Sequence, residues 1–570
     1  MDFSSARICS QKRFRQVSNP IRTKRIKTSS TSSCDILELK VIEILDIDMA
    51  FSPYKPDNEE RDNYFHGFSG SPKLVARTGH NRWTKSLFEY GWYSKLAQHR
   101  KHYMALNNPD IIGQWSKELS TSIITALGQC RWSYFFPIRT CLRDDLDHQE
   151  GATATILLVA VEPASLQWED GINIALSCRD IIRKFKILDV EVEIMEGRYT
   201  QHAASTQLEA YFDRVDHADK KTSEKILPLL SYTGYPIAYL KEKAGQGTVG
   251  LHIKLGTDES TIYGLTCRHV VYNDRAAHES YKPSAEVRQC HIQANAATFD
   301  DILYGLKSTI REQEAEVMDH RDPIKKWDEW YQYHNPRNIP SPSERDRQVL
   351  TWKEELLAYN TSVVEILEKI VDRKQRQIGH LAFLPSFTIS PRHRGYLRDW
   401  ALVELDPNKF IRGPDNRVFL GNKEFGPPDS SSRENTLQLT SRNNEVNLKS
   451  FTVAKRGVAT GLTFGTKSGI EAVVRRPGAG LDGDVYTWEL LIVPEKGAKR
   501  FSDNGDSGSA IFDFSGRVIG IATASNGVAD VTSTSDVVKL REGTDITFAA
   551  PIKWVLDDIQ DFTGQQPRLA

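Results

Sequence analysis

The chain is best understood from Asn504-Gly505-Asp506-Ser507-Gly508-Ser509-Ala510, which puts a serine on a glycine-rich turn before an apolar, strand-like segment. Gly505 permits a tight bend, so the N–H groups of Gly505 and Ser507 can point into one small space. Fixed donors of this kind suit an oxyanion, because they stabilise charge that develops in a transition state. The pattern therefore predicts a nucleophile at Ser507 and an oxyanion hole formed by Gly505 and Ser507. An ordinary surface turn before a strand has a similar sequence, so the motif alone leaves both interpretations open.

Two further segments carry the residue types that would activate such a serine. The β-rich run at residues 262–271 (IYGLTCRHVV) contains His269, and the apolar run at residues 396–405 (YLRDWALVEL) has Asp399 near its start. The order along the chain is His269, Asp399, Ser507, as in chymotrypsin-type enzymes and unlike subtilisins or α/β-hydrolases. Each residue alone has a plain structural alternative, a strand-end histidine or a turn aspartate. Only the combination favours a catalytic triad.

The three segments resemble the T-A-A-H, D-I-A-L and G-D-S-G-G elements of trypsin-like serine peptidases. The matching residues are Thr266, His269, Asp399, Ala401, Leu402, Gly505, Asp506, Ser507 and Gly508. A fourth segment, residues 455–466 (KRGVATGLTFGT), resembles the K-x-G-x-x-T-G-x-T-x-G run of bacterial and intracellular members, where it opens the second barrel. The resemblance spans roughly residues 230–563. It implies an all-β, chymotrypsin-like double β-barrel in an intracellular, fungal-type protein with an N-terminal extension.

The resemblance also implies a mechanism. Ser507 would attack the scissile carbonyl of a polypeptide, His269 would carry its proton, and Asp399 would orient the imidazole, giving a serine endopeptidase that works through an acyl-enzyme. No metal or organic cofactor is expected. Phe501, Thr523 and Ser525 are the predicted substrate-binding residues. Phe501 stands where an acid would mark a preference for Arg or Lys, so an uncharged residue before the scissile bond is favoured.

Several positions depart from the family pattern. Cys267 and Arg268 replace two alanines before the histidine, and Ser509 replaces a glycine. No activation site followed by an Ile-Val-type new N-terminus is visible, so Asp506 is expected to lack the usual ion-pair partner. These differences keep a second interpretation open, in which the chain is a catalytically silent or latent protease-fold scaffold that acts as a protein-binding or regulatory module.

Composition limits which kinds of partner, metal site and cellular compartment are expected. The net charge of −1 over 570 residues gives no field for nucleic acid, and the apolar runs are too short for a membrane span. Seven scattered cysteines without a C-x-x-C pair favour a reducing compartment over disulfides or structural zinc. The basic, Ser-rich N-terminus has no apolar signal core, which predicts an intracellular location, in cytoplasm or nucleus, with the mitochondrion as an alternative.

The predicted organisation is multi-domain. Strand, helix and strand patterns at residues 154–161, 170–185 and 188–195 indicate an α/β or α+β N-terminal domain, and two long helical patterns indicate a hairpin insertion. A protein partner could bind either part. The predicted parts are a basic, largely disordered tail and linker at 1–82; the accessory domain at 83–225; the first barrel at 226–294 and 377–427, interrupted by the helical insertion at 295–376; an inter-barrel linker at 428–447; and the second barrel with a C-terminal helix at 448–570.

Overall fold

The computed structural model describes most of the chain after residue 52. The described ranges are 53–90, 95–98, 100–143, 153–201, 232–240, 246–272, 280–281, 290–334, 343–393, 395–410, 414–420, 436–440, 450–477, 484–495, 500–526 and 544–570. The first 52 residues of the predicted tail and most of the predicted inter-barrel linker lie outside them. Within these ranges no helix is both long and apolar enough to cross a membrane.

The described part of the chain is mostly β-structure. Its strands are β1 Leu74–Arg77, β2 Leu87–Tyr90, β3 Lys95–Gln98, β4 Arg100–Met104, β5 Trp132–Arg143, β6 Ala154–Val161, β7 Val190–Glu196, β8 Thr200–Gln201, β9 Tyr235–Tyr239, β10 Gly247–Val249, β11 Leu251–Leu255, β12 Tyr263–Thr266, β13 Cys290–Gln293, β14 Gln377–Phe383, β15 Ala401–Leu405, β16 Arg417–Phe419, β17 Thr436–Gln438, β18 Phe451–Gly457, β19 Gly461–Pro477, β20 Asp484–Pro494, β21 Ala510–Phe512, β22 Val518–Ser525, β23 Thr547–Pro551 and β24 Pro567–Leu569.

The described helices range in length from 3 to 39 residues. They are α1 Asn58–Asn63, α2 Pro109–Gln114, a π-helical turn at Trp115–Leu119, α3 Ser120–Leu127, α4 Trp168–Lys184, α5 Arg268–Val271, α6 Ala296–His334, α7 Glu344–Lys369, a 3₁₀ turn at Pro407–Lys409 and α8 Ile552–Thr563. Asn108 caps α2 as its sequence suggests, because its side chain accepts from the N–H groups of Asp110 and Ile111, and Pro109 occupies the first turn.

One sheet contains eight strands in the order β10-β9-β13-β14-β15-β12-β11-β24. β10 and β11 are separated only by Gly250, so they continue one another across this residue. A Cβ at Gly250 would lie 2.1 Å from the carbonyl oxygen of Gly508. A glycine is therefore required where the first sheet meets the turn that carries Ser507.

A second sheet contains twelve strands, of which ten follow the order β1-β7-β6-β5-β19-β18-β21-β22-β23-β20. β20 also pairs with β19, so the last six strands of this order form a closed circuit of neighbours. β5 joins that circuit to the N-terminal strands through the pairs Phe135↔Val473 and Tyr134↔Val474. The region at residues 53–201, called the accessory region below, therefore shares one continuous sheet with the C-terminal part.

The accessory region is an α/β layer. β6 and β7 pair in parallel, and α4 connects them and packs on their sheet. This arrangement bears out the predicted strand, helix and strand.

Two of the predicted domain boundaries need correction. α1 and β1 lie within the predicted tail and linker at 1–82, and β1 pairs with β7. The predicted separate domain at 83–225 is joined to the C-terminal part by the β5–β19 pairing, because each strand would otherwise leave backbone N–H and C=O groups unpaired at a sheet edge.

The long helices α6 and α7 pack side by side as a hairpin between β13 and β14. Lys307 near the start of α6 pairs with Glu368 near the end of α7, and Arg321 further along pairs with Glu354, so the helices are antiparallel. Ser343 forms a capping box with Asp346 at the start of α7. An apolar seam holds the base of the hairpin; its residues are Ala294, Phe299, Ile302, Leu306, Val364 and Leu367.

Phe548 on β23 tests how strongly the accessory region is bound to the C-terminal part. Its buried ring lies 5.4 Å from that of Tyr134 and 5.1 Å from that of Tyr199, measured between centroids. We expect Phe548→Ala to lower the free energy of unfolding by about 3–5 kcal/mol, because a large buried side chain is lost and a cavity is left. Urea unfolding measures this. Phe514→Ala removes a ring that is 56% exposed and is the matched control, with a change below about 1 kcal/mol.

Candidate active site

His269 and Asp399 are brought together by the pairing of two neighbouring strands. β12 and β15 pair with Thr266 opposite Ala401, His269 follows β12 on the short helix α5, and Asp399 precedes β15. The Nδ1 of His269 lies 2.7 Å from Oδ2 of Asp399, and the backbone N–H of His269 donates to Oδ1 at 3.1 Å. Both side chains are buried. The carboxylate therefore holds the imidazole through one bond to the ring and one to the backbone.

The electrostatics of this pair favour an ionised carboxylate. Burial alone would raise the pKa of Asp399, but the charge of His269 and the hydrogen bonds from its ring and backbone outweigh burial and lower that pKa. The other ring nitrogen of His269, Nε2, is buried and has no hydrogen-bond partner among the described residues. Buried ring nitrogens usually have a hydrogen-bond partner, so Nε2 is open to one more partner.

Ser507 is buried, and its Oγ donates to the carbonyl oxygen of Thr523 at 3.2 Å. No hydrogen bond joins Ser507 to Nε2 of His269 in this conformation. Gly247 lies between the serine turn and the histidine helix α5 and leaves little space. A Cβ there would lie 2.3 Å from the Val270 side chain and 3.0 Å from the Ser507 carbonyl oxygen. The serine turn and the histidine helix therefore face each other across one glycine.

The turn around Ser507 has the bend that its glycines predict. Gly505 and Gly508 have φ angles of +104° and +95°, in the region that favours glycine. Thr248 on β10 fixes the turn, because its N–H donates to the Ser507 carbonyl and its Oγ1 to the Gly505 carbonyl, both at 2.8 Å. Among the described residues, no hydrogen-bond acceptor is found for the N–H groups of Gly505 and Ser507. Two backbone donors on this turn are thus uncommitted.

Asp506 does have an ion-pair partner, which corrects the sequence-based expectation. The Nζ of Lys455 lies 2.9 Å from Oδ2 of Asp506, and both side chains are completely buried. The carboxylate also accepts from the N–H groups of Ala459 and Asp503 and from the hydroxyl of Thr460. Burial lowers the pKa of Lys455, and Asp506 opposes that shift. An internal lysine therefore supplies the counter-charge that Asp506 was expected to lack.

The motif at residues 455–466 now has a physical explanation. Lys455, Gly457 and Thr460 all face the Asp506 carboxylate, and a Cβ at Gly457 would lie 2.3 Å from its Oδ1. The spacing of lysine, glycine and threonine is what allows one β-turn, between β18 and β19, to surround a buried carboxylate. The motif positions the residue next to Ser507.

The three predicted substrate-binding residues have different surroundings. Phe501 is completely buried in an apolar cluster with Val453 and Ile511, so its side chain belongs to the core, and this placement does not favour the predicted substrate contact. Thr523 accepts from Ser507, as described above, and lies beside the serine. Ser525, two residues further along β22, is buried and hydrogen-bonds to Asp545.

Sequence reasoning missed a buried polar cluster next to Thr523. Glu489 on β20 accepts hydrogen bonds from Thr523 Oγ1 at 3.0 Å and from Tyr199 Oη at 2.9 Å, and Arg476 Nη2 lies 2.6 Å from its other oxygen. The signal was present in the sequence, since Glu489 interrupts the apolar run at residues 485–494. A charged residue inside such a strand has to find a partner on folding.

Cys267, His269 and Asp399 offer three possible metal-ligand atoms within 4.8 Å of one another. The Nδ1 of His269 and the carboxylate of Asp399 are already bonded to each other. The Sγ of Cys267 donates to the Ala522 carbonyl oxygen at 3.3 Å, and burial raises the pKa of the thiol well above its usual range, which keeps it protonated. A neutral thiol is a poor ligand. The donor set therefore fits a hydrogen-bonded histidine and aspartate better than a metal centre.

The buried ion pair at Asp506 gives the second prediction. We expect Lys455→Met to lower the free energy of unfolding by about 3–5 kcal/mol, because it leaves Asp506 buried without its counter-charge. The double variant Lys455→Met/Asp506→Asn should recover part of that loss. Denaturant unfolding measures both. Lys553→Met is the control, since Lys553 pairs with Asp557 at 3.0 Å on the surface and should cost less than about 1 kcal/mol. Equal losses for the two lysines would contradict the assigned role.

Asp545 gives a pH-dependent prediction. Burial raises the pKa of this carboxyl to about 7. The folded protein therefore holds the proton more tightly than the unfolded chain, so the free energy of unfolding should fall as the pH rises from about 4 to about 7, by about 1.4 kcal/mol per pKa unit. Asp545→Asn should lack this component. The wild-type minus variant difference, followed by urea unfolding between pH 4 and 8, should decline with pH; a constant difference would contradict the assignment.

Comparisons with known proteins add little to this site. No protein-family model and no curated protein matches the chain. One solved structure with local similarity is a glutamic-acid-specific serine protease that uses a novel histidine triad in substrate binding. It is 14% identical over 60% of this chain and all of its own, with a TM-score of 0.28. The functional argument therefore depends on the residues and contacts described above.

Proposed function

We propose that the chain is a serine endopeptidase in which His269, Asp399 and Ser507 form the catalytic triad. One observation carries the proposal. A buried carboxylate holds His269 by two hydrogen bonds, and the remaining ring nitrogen has no partner in the described residues. Val270, the next residue, and the Ser507 carbonyl both approach Gly247, so the histidine segment lies near the serine turn. Nucleophile, base, orienting acid and oxyanion donors are the parts that acyl transfer requires.

The proposed reaction begins when Ser507 leaves the Thr523 carbonyl. Rotation about its Cα–Cβ bond moves Oγ towards Nε2 of His269, which takes the proton as Oγ attacks the scissile carbonyl. The ionised Asp399 stabilises the imidazolium that forms. The N–H groups of Gly505 and Ser507 bind the oxyanion, and loss of one such donor typically costs about 10²- to 10³-fold in rate. The imidazolium then protonates the leaving amine, and water hydrolyses the acyl-enzyme by the same steps in reverse.

We also propose that residues 226–570 form a chymotrypsin-like double β-barrel interrupted by the α6–α7 hairpin. The strand neighbours support this. β19, β18, β21, β22, β23 and β20 form one closed circuit, and β9, β13, β14, β15, β12 and the β11–β10 pair form another if Gly250 is taken as a bend in one strand. The proposed active site then lies between the two circuits, since His269 and Asp399 belong to one and Ser507 to the other.

A second candidate function is favoured by the hydrogen bond from Ser507 to Thr523. A hydroxyl committed to a backbone carbonyl is not activated, and a protein that kept this conformation would be a protease-fold scaffold for binding or regulation. The two candidates differ in one property. An enzyme must reach the rotamer that brings Oγ to Nε2, whereas a scaffold need not.

The substrate preference remains a prediction. Phe501 does not support the predicted preference for an uncharged residue before the scissile bond, because its side chain lies in the core. The buried Asp545 beside Ser525 is an acid that the sequence-based prediction did not include. If Asp545 contacts the substrate in its ionised form, a basic residue would be preferred instead. An intracellular location also remains a prediction from the sequence.

A fluorophosphonate probe tests the proposed function, because it reacts covalently with activated serines. We expect the wild type to be labelled at Ser507, no labelling of Ser507→Ala, and a rate about 10³- to 10⁴-fold lower for Asp399→Asn, since the imidazole loses its orientation and charge stabilisation. Peptide mapping of the labelled protein measures the site. Ser515→Ala and Asp561→Asn change exposed residues of the same types and should label like the wild type. A wild type that is folded and unlabelled would support the scaffold.

A further inference from the structure

The edge of β22 beside Ser507 is already occupied by another part of this chain. On one side, β22 pairs with β23 along its length. On the other side, β21 covers Val518 to Ile521, and the Ser507 turn follows at Ala522, whose carbonyl accepts from Gly508. Beyond the turn, β8 pairs with the remaining residues, Ala524 opposite Gln201 and Ser525 opposite Thr200.

Of the two residues of β8, Gln201 pairs nearer to the Ser507 contact on β22 than Thr200 does. The pairing is antiparallel, so the step from Thr200 to Gln201 runs from Ser525 back to Ala524. Gln201 thus stands opposite the residue next to Thr523, whose carbonyl accepts from Ser507 Oγ. Successive residues of a strand are about 3.3 Å apart. Gln201, at the end of β8, is therefore about one residue along β22 from the contact between Thr523 and Ser507.

Tyr199 anchors this segment in the buried polar cluster. Its hydroxyl donates to Glu489 Oε2, the same oxygen that accepts from Thr523 Oγ1, and its ring lies under the guanidinium of Arg476 at 3.9 Å and beside Phe548. Burial raises the pKa of Tyr199 well above its usual range, so the phenol remains a donor to the carboxylate. Hydrogen bonds to charged groups are among the stronger ones in proteins.

We propose that Tyr199–Gln201 occupies the edge on which an extended peptide substrate must pair, so that the chain blocks its own active site. This inference rests on the proposed function. Peptides commonly bind by adding a strand to a free sheet edge, and Thr523–Ser525 is the stretch of β22 that leads away from Ser507. β7 ends at Glu196, with only two residues between it and Tyr199, so the accessory region presents the segment at high effective concentration. A substrate or partner has to displace it.

Two variants release the segment in different ways. Tyr199→Ala removes the anchor. Thr200→Pro/Gln201→Pro removes both backbone donors of β8, whichever of them faces β22. Tyr333→Ala is the matched control, because this tyrosine on α6 is 83% exposed. Thermal unfolding of each variant shows whether it is folded.

The experiment compares two reactive probes on the full chain. A small fluorophosphonate needs only Ser507, whereas tetrapeptide aryl phosphonates, used as a panel that varies the residue next to phosphorus, also need the β22 edge. We expect the ratio of peptidyl to small-probe labelling rates to rise about 10- to 100-fold in both release variants and to stay unchanged in Tyr333→Ala. An unchanged ratio in folded release variants overturns the inference alone. Absence of labelling by the small probe overturns the proposed function, and the inference with it.

A readout without activity decides the case in which no tetrapeptide reacts. In the Ser507→Ala background, hydrogen–deuterium exchange of peptides covering Thr523–Ser525 should be faster when the two prolines are present, because that edge of β22 loses its partner. Equal exchange with and without the prolines overturns the inference.

Discussion

The buried ion pair between Lys455 and Asp506 is the contact on which the geometry of the site depends. Taking two charges out of water costs several kcal/mol per ion, so such a pair persists only where hydrogen bonds satisfy the remaining oxygen lone pairs. Here the carboxylate accepts from Lys455, from the N–H groups of Asp503 and Ala459, and from Thr460. These donors come from Asp503, just before Asp506, and from the turn between β18 and β19 with its flanking Lys455. The buried carboxylate therefore fixes the orientation of the turn that carries the N–H groups of Gly505 and Ser507.

The local part of the site could be predicted from the sequence because its signals are local. The glycines around Ser507, the histidine after β12 and the aspartate before β15 are each marked by their own neighbours. The partner of Asp506 could not be predicted in this way, since Lys455 lies on another strand and looks like an exposed charge in a β-run. Lys455 lay in a motif that the sequence analysis had singled out, but only the packing shows that its lysine, glycine and threonine surround Asp506.

Pairing between strands that are far apart in the chain is also hard to predict from local sequence signals. The strand β6, helix α4 and strand β7 were recognisable from apolar periodicity alone, whereas the pairing of β5 with β19 joins residues more than three hundred positions apart. A period-2 pattern says that a strand has a buried face but not which edge it meets. The two-residue strand β8 carries no periodic signal, and Tyr199 became informative only when Glu489, Arg476 and Phe548 were found around it.

Strand β22 contacts both the Ser507 hydroxyl and the short strand β8. Thr523 holds the Ser507 hydroxyl through its carbonyl, and the next two residues hold β8. Glu489 accepts from both Thr523 and Tyr199, so the same carboxylate oxygen supports the serine's present partner and the anchor of the occupying segment. Removing Tyr199 frees one of the bonds to that oxygen and alters the surroundings of Thr523 directly. In the proposed enzyme, a peptide that replaced β8 would act next to the residue that holds the serine, so occupation of the edge and rotation of Ser507 would be coupled through β22.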